Sequence, residues 1–146
     1  MKSFIILLLI WFSLSYNTAN AISYAKKYCS HYNSKYKDYS HSGGDCANFV
    51  SQCLIEGGLS LKGCSGLDSK GAIPYVPDLR SCLKQKGWHF TQGVSKKFKA
   101  GYPFFEGNSH AMIATGVSGS TITYCGHTND RFNNQLVNSK YYYYYP

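Results

Sequence analysis

The amino-acid sequence predicts a single domain of the α+β class, in which helices come first and strands follow. Between residues 22 and 87, apolar side chains recur at helical spacing in three segments. After residue 100 the pattern changes to short runs rich in β-branched and aromatic residues, separated by turn residues. We therefore expect N-terminal helices, one of which carries a cysteine at its start, to pack on a C-terminal antiparallel sheet.

The first 21 residues are organised like a secretory signal peptide. Lys2 supplies a positive charge, residues 4–12 are uninterruptedly apolar, and Ala19 and Ala21 are small residues at the two positions that a signal peptidase reads. The apolar run is too short to span a bilayer. The sequence predicts cleavage after residue 21 and a single secreted domain of residues 22–146, in the extracellular space or an endomembrane lumen. An uncleaved anchor is the alternative.

The chain is basic, with 15 Lys and Arg residues against 7 Asp and Glu residues and a formal net charge of +8. The lysines are scattered along the sequence and form no continuous basic helix. This charge favours an anionic partner surface without identifying it. We expect a monomer that has no nucleic-acid partner and no stable membrane insertion.

The central stretch of the sequence runs from Gly43 to Gly58 and predicts a short helix with Cys46 on its first turn. Asp45 is a good N-cap residue, because its carboxylate can accept hydrogen bonds from the first unpaired N–H groups of a helix. The two glycines at 57 and 58 end the helix. A thiol at a helix N-terminus lies at the positive end of the peptide dipoles, which favours the thiolate.

Two further helices and a long loop are predicted around this stretch. Residues 22–32 form a first amphipathic helix, and residues 77–87 form a third helix with proline near its start and glycine past its end. Residues 59–77 are rich in glycine and proline and are expected to form a loop along one wall of a cleft.

All six cysteines follow the predicted leader, and an oxidising compartment favours their pairing. Cys53 lies two helical turns from Cys46, which is too far for a disulfide between them. If both of these thiols are free, the other four cysteines form two disulfides in one of three ways, and the sequence does not choose among them. These four residues are Cys29, Cys64, Cys82 and Cys125.

The last third of the sequence predicts strands, including a hairpin that brings two histidines together. Strands are expected near residues 101–105, 108–117, 121–125 and 141–145, with a turn at 118–120. His110 lies at the start of one hairpin strand and His127 just past the end of its partner, with Asn129 two residues further on. These two ends are neighbours in an antiparallel pair.

These residue types are suited to nucleophilic catalysis. Cys46 can serve as the nucleophile and His110 as the general base, while His127 or Asn129 orients the imidazole. The backbone N–H of Cys46 is an oxyanion donor, and Asp45 acts either as the helix cap or directly in the site. The sequence has no CxxC or HExxH spacing, so we expect no metal site and no cofactor.

Three stretches resemble the amidase-domain family, which is grouped with the NlpC-like and CHAP enzymes. They are residues 43–54 (GGDCANFVSQCL), 110–116 (HAMIATG) and 126–131 (GHTNDR). The resemblance implies a circularly permuted papain-like fold and a cysteine amidase or peptidase that often acts on peptidoglycan. It also implies that Cys46 is the nucleophile, His110 the base, and His127 or Asn129 the third residue.

Two function hypotheses from different classes follow. The first is a secreted cysteine amidohydrolase or peptidase that cuts amide bonds in peptidoglycan or another peptide substrate. The second is a non-catalytic, basic, disulfide-stabilised module that binds anionic glycans or membrane surfaces, with Cys46 oxidised. A variant of the first hypothesis transfers an acyl group instead of hydrolysing it.

Overall fold

The computed structural model describes residues 15–119, 121–128, 131–137 and 140–146, and it confirms the α+β class. Within these residues, no helix is long and apolar enough to cross a membrane. Three helices precede six strands in this part of the chain: α1 (Thr18–Tyr28), α2 (Cys46–Glu56), α3 (Val76–Gln85), β1 (His89–Gln92), β2 (Pro103–Glu106), β3 (His110–Ser118), β4 (Thr121–Gly126), β5 (Arg131–Val137) and β6 (Tyr142–Tyr145).

The strands form one antiparallel sheet with the order β1-β6-β2-β3-β4-β5. The predicted hairpin is β3–β4, in which Ile113 lies opposite Cys125 and a register shift falls between Ala114 and Gly116. This pairing places the start of β3 and the end of β4 side by side, at the same end of the two strands.

Alternation along the strands builds a core on each face of the sheet, because successive side chains of a strand point to opposite faces. The first core lies between the sheet and the helices, and the second lies on the other face against Phe98. The first core contains Phe105, Ile113 and Tyr144 together with Phe49 and Leu54 of α2, and the second contains Phe104, Met112 and Tyr143.

Helix α2 is the most deeply buried helix, and every residue from Cys46 to Leu54 is buried. Two of its polar side chains bond to neighbouring segments. The Tyr24 hydroxyl donates to Gln52 Oε1 at 2.7 Å, and the backbone N–H of Ile73 donates to Ser51 Oγ at 3.0 Å. The helix therefore has a fixed position between α1, the long loop and the sheet.

The packed structure includes residues before 22, the predicted start of the mature domain. Helix α1 starts at Thr18 and ends at Tyr28, four residues earlier at each end than predicted. Asn17 is its N-cap residue, and its side chain accepts a hydrogen bond from the backbone N–H of Asn20. Residues 16–21 thus belong to the packed structure, while cleavage of a leader stays a prediction.

The other predicted elements differ from the structure mainly at their ends. The third helix is α3, and the final tyrosine run is β6, as predicted. Residues 59–75 form a loop without regular structure, which the Cys64–Cys82 disulfide ties to α3. Strand β5 was not predicted, because its sequence contains adjacent asparagines, which are depleted in strands.

Candidate active site

The thiol of Cys46, at the start of α2, lies next to the start of β3. Cys46 is the first residue of α2 and is 8% exposed. The backbone N–H of Ala111 lies close enough to the sulfur to lower the pKa of the thiol. Ala111 directly follows His110, so the structure brings the predicted nucleophile to the backbone next to the predicted base.

His110 is half-buried and is the first residue of β3, where it lies opposite Glu106 of β2. Its ring reaches across to the end of β4. A Cβ atom built on Gly126 would lie 3.6 Å from His110 Nε2, which is ordinary contact distance. The hairpin therefore places the imidazole against Gly126, at the sheet edge that faces the start of α2.

Burial raises the pKa of the Cys46 thiol, and the negative charge of Asp45 acts in the same direction. Hydrogen bonds from the backbone at Ala111, Ala47 and Cys46 itself act in the opposite direction but do not outweigh burial. The helix N-terminus is expected to favour the thiolate, and burial of the thiol acts against that effect. A thiol whose pKa is raised depends on a neighbouring base to remove its proton.

Asp45 does not cap α2, although it occupies the N-cap position. Its carboxylate instead accepts hydrogen bonds from the Tyr39 backbone N–H (2.9 Å), from Asn48 Nδ2 (2.9 Å) and from His127 Nδ1 (2.5 Å). Its own backbone N–H donates to Thr128 Oγ1 at 2.9 Å. The residue before Cys46 is thus attached to the preceding loop, to α2 and to the turn after β4.

Gly44 shows how closely this turn approaches the nucleophile loop. Its φ is +103°, a conformation that L side chains rarely adopt, and a Cβ atom there would lie 3.0 Å from Thr128 Oγ1. The absence of a side chain at Gly44 therefore allows the turn after β4 to lie against the residues before α2.

His127 is buried and is bonded through both ring nitrogens. Nδ1 bonds to Asp45, and Nε2 lies 2.6 Å from the carbonyl oxygen of Tyr28. A carbonyl oxygen only accepts, so Nε2 is the donor in its bond to Tyr28. The ring stacks on Phe49, with 4.0 Å between centroids, and packs against Tyr32.

The structure does not place His127 as the group that orients His110, because both of its ring nitrogens are bonded elsewhere. Its contacts connect the end of α1 and the turn after β4 to Asp45. The other candidate for the third role, Asn129, lies outside the described residues, so its role stays a prediction.

Comparisons with known proteins identify the family of the chain. A family model described as "Putative amidase domain" matches residues 15–99, which are 85 of the 146 residues. The chain belongs to this amidase-domain family. The match includes Cys46 and ends before His110, and the family suggests an amide hydrolase.

A curated relative covers more of this amidase domain but gives it no function. Over 132 residues the chain is 25% identical to "Uncharacterized protein YhbB" of Bacillus subtilis (strain 168). The alignment covers 86% of the chain and 37% of the relative, so the chain spans little more than a third of that protein. No solved structure matches the chain.

Arg80 of α3 supports the turn before His110, and the sequence analysis missed it. Its Nη1 donates to the carbonyl oxygen of Gly107 and to Asn108 Oδ1, both at 2.9 Å, and its Nε donates to the Tyr144 hydroxyl at 3.0 Å. An arginine on the polar face of an amphipathic helix gives no signal in the sequence that distinguishes it from a solvent-exposed one.

The cysteines of the amidase domain pair as Cys29–Cys125 and Cys64–Cys82, while Cys46 and Cys53 are free and buried. This confirms two disulfides and selects one of the three connectivities that the sequence left open. The first disulfide joins the end of α1 to β4, close to His127. Among the described residues, no group of three His, Cys, Asp or Glu side chains could hold a metal ion.

Proposed function

We propose that the domain is a secreted cysteine amidohydrolase or peptidase with a papain-like catalytic arrangement. The observation that carries the proposal is the position of Cys46, which shares a core cluster with Ala111, the residue after His110 at the start of β3. Cys46 is the nucleophile and His110 the general base. The cysteine type of the amidase follows from these two residues and not from the family match.

The proposed reaction proceeds in two steps. His110 takes the thiol proton as the sulfur attacks the amide carbonyl carbon, and the backbone N–H of Cys46 stabilises the oxyanion that forms. His110 then protonates the departing amine, which leaves a thioester on Cys46. In the second step His110 removes a proton from water, the resulting hydroxide attacks the thioester, and the acid and the free thiol are released.

The third position of a papain-like site requires a polar side chain that fixes the ring orientation of His110. His127 is bonded to Asp45 and Tyr28, so we assign the orienting role to Asn129. An Asn129→Ala variant is expected to lower kcat more than it changes KM, because the group acts on the base and not on the substrate.

The proposed substrate is peptidoglycan, in which an amide bond of the stem peptide is cut. Support comes from the amidase family, from the resemblance of the Cys46 helix to cell-wall enzymes, and from the positive charge of the chain, which attracts a basic domain to anionic wall polymers. The net charge of the full chain is +8, and Lys2 is the only charged residue in the leader. The two disulfides are compatible with an extracellular protein.

Digestion of purified peptidoglycan tests the proposal. The parent protein is expected to release fragments that mass spectrometry identifies by their new amine and carboxyl ends, and Cys46→Ala is expected to release none. Cys53→Ala is the matched control, since it removes the other free buried thiol and leaves the nucleophile. Equal digestion by Cys46→Ala and the parent would reject the role of Cys46. Products that carry a transferred acyl group would indicate a transferase.

The alternative of a non-catalytic binding module has one feature in its favour. A cavity of about 610 Å³ lies between α1 and the following loop, and Lys27, Lys35 and Lys70 are among its lining residues. That hypothesis expected an oxidised Cys46, however, and the structure has this thiol free. Retention on peptidoglycan without any released product, by both Cys46→Ala and the parent, would favour the module.

A further inference from the structure

We infer that the leader is removed between Ser15 and Tyr16, six residues before the site that the sequence pattern first suggests. The inference rests on the proposed secretion of the domain. It assigns a processing site that follows from what residues 16–21 do in the folded protein.

Tyr16 is an anchor of the N-terminal segment. Its hydroxyl donates to the carbonyl oxygen of Gly101 at 2.7 Å, and its ring lies edge-on to Trp88, with 5.2 Å between centroids. A Cβ atom on Gly57 would lie only 2.3 Å from the ring, so the lack of a side chain at 57 makes room for Tyr16. The glycine at position 57 therefore accommodates Tyr16, which cleavage after Ala21 would remove.

The residues after Tyr16 are also part of the fold. The backbone N–H of Asn17 donates to the carbonyl oxygen of Gly57 at 2.7 Å, and its side chain caps α1. A Cβ atom on Gly101 would lie 2.7 Å from Cβ of Thr18, and Ala21 is fully buried. Cleavage after Ala21 would delete these contacts and shorten α1 to Ile22–Tyr28 without its cap.

The sequence offers a second processing site that avoids this loss. Ser13 and Ser15 are small residues at the third and first positions before the Ser15–Tyr16 bond. They follow directly on the apolar run of residues 4–12. Ser15 is exposed, and the amidase-domain match begins at residue 15. Hydrolysis there by a signal peptidase consumes one water, leaves a carboxylate on Ser15 and gives Tyr16 a free amine.

Secretion of the full chain tests the inference. The gene is expressed from Met1 with a C-terminal affinity tag in a secreting host, and protein from the medium is characterised by intact mass and N-terminal sequencing. We expect a chain that begins at Tyr16. A secreted chain that begins at Ile22 would overturn the processing site and leave the proposed secretion standing. A chain that stays in the cells with Met1 intact would overturn the secretion on which the inference rests.

A matched pair of substitutions separates the two sites. Ser15→Gln places a large residue directly before the inferred cut, and Ala19→Gln places the same residue at the third position before the alternative cut, on an exposed site of α1. We expect Ser15→Gln to lower the amount of processed protein several-fold and Ala19→Gln to leave it unchanged. The reverse pattern would overturn the inference.

Discussion

Replacing Asp45 by Asn tests whether this carboxylate holds the residue before the nucleophile in place. The substitution keeps the size of the side chain and removes its charge. An amide oxygen can still accept from Tyr39 and Asn48, but the amide nitrogen then faces Nδ1 of His127, which loses its acceptor.

The expected magnitude follows from burial. The side chains of Asp45 and His127 are each about 1% exposed. Removing one partner of a buried pair costs about 3–5 kcal/mol, and the two retained hydrogen bonds favour the lower end of this range. We therefore expect the free energy of unfolding to fall by about 3 kcal/mol. The double variant Asp45→Asn/His127→Gln is expected to lose less than the sum of the two single changes, because it leaves no unpaired group.

The assay is urea unfolding, followed by the fluorescence of the buried Trp88. The alkylation rate of Cys46 without denaturant is measured beside it, because a loosened start of α2 should change that rate. Asp38→Asn is the matched control, since it makes the same chemical change at an exposed carboxylate and should have little effect. The reasoning is refuted if Asp45→Asn unfolds at the same urea concentration as the control.

Three further predictions concern packing, pH and the turn before the base. Gly57→Ala places a methyl group against Tyr16, so we expect it to lower the free energy of unfolding in urea by about 1–3 kcal/mol. An equal loss from Gly57→Ala in a Tyr16→Ala background would contradict this contact. Burial raises the pKa of Cys53 well above its ordinary value, so its stabilising effect is present below about pH 8.5 and is lost as the pH rises further. The free energy of unfolding should therefore fall as the pH rises from about 8 to about 10, and it should fall less steeply in the Cys53→Ala variant. Equal slopes in the parent and the variant would argue against this role of Cys53. Arg80→Lys keeps the charge but loses the fork that holds the turn before His110, so we expect kcat on peptidoglycan to fall about tenfold with KM little changed. A change in KM alone would place Arg80 at the substrate instead.

The parts of the fold that could be predicted are those with local signals. Helix α2 lies between glycines and has apolar residues at helical spacing, and the β3–β4 hairpin has apolar and β-branched runs on either side of Gly119. These two elements carry Cys46 and His110, which explains why both candidates could be named from the sequence.

The parts that could not be predicted depend on contacts between distant residues. Asp45 and His127 are separated by 82 positions, so no local pattern distinguishes a helix cap from a buried partner of a histidine. The raised pKa of Cys46 results from burial by β3, which outweighs the local effect of the helix N-terminus. At the N-terminus, residues 19–21 fit both a cleavage site and a helix, and the burial of Ala21 together with the contacts of Tyr16 shows that this segment packs in the domain.

The central claim is that Cys46 and His110 act as a nucleophile and its base, and the reaction of Cys46 with iodoacetamide tests it most directly. In a Cys53→Ala background the other four cysteines are paired, so Cys46 is the single free thiol. The account predicts that iodoacetamide modifies Cys46 at about pH 7. Adding His110→Gln should lower the rate of this modification by about tenfold or more. The urea concentration at the midpoint of unfolding should stay the same. Equal rates with and without His110 would contradict the account.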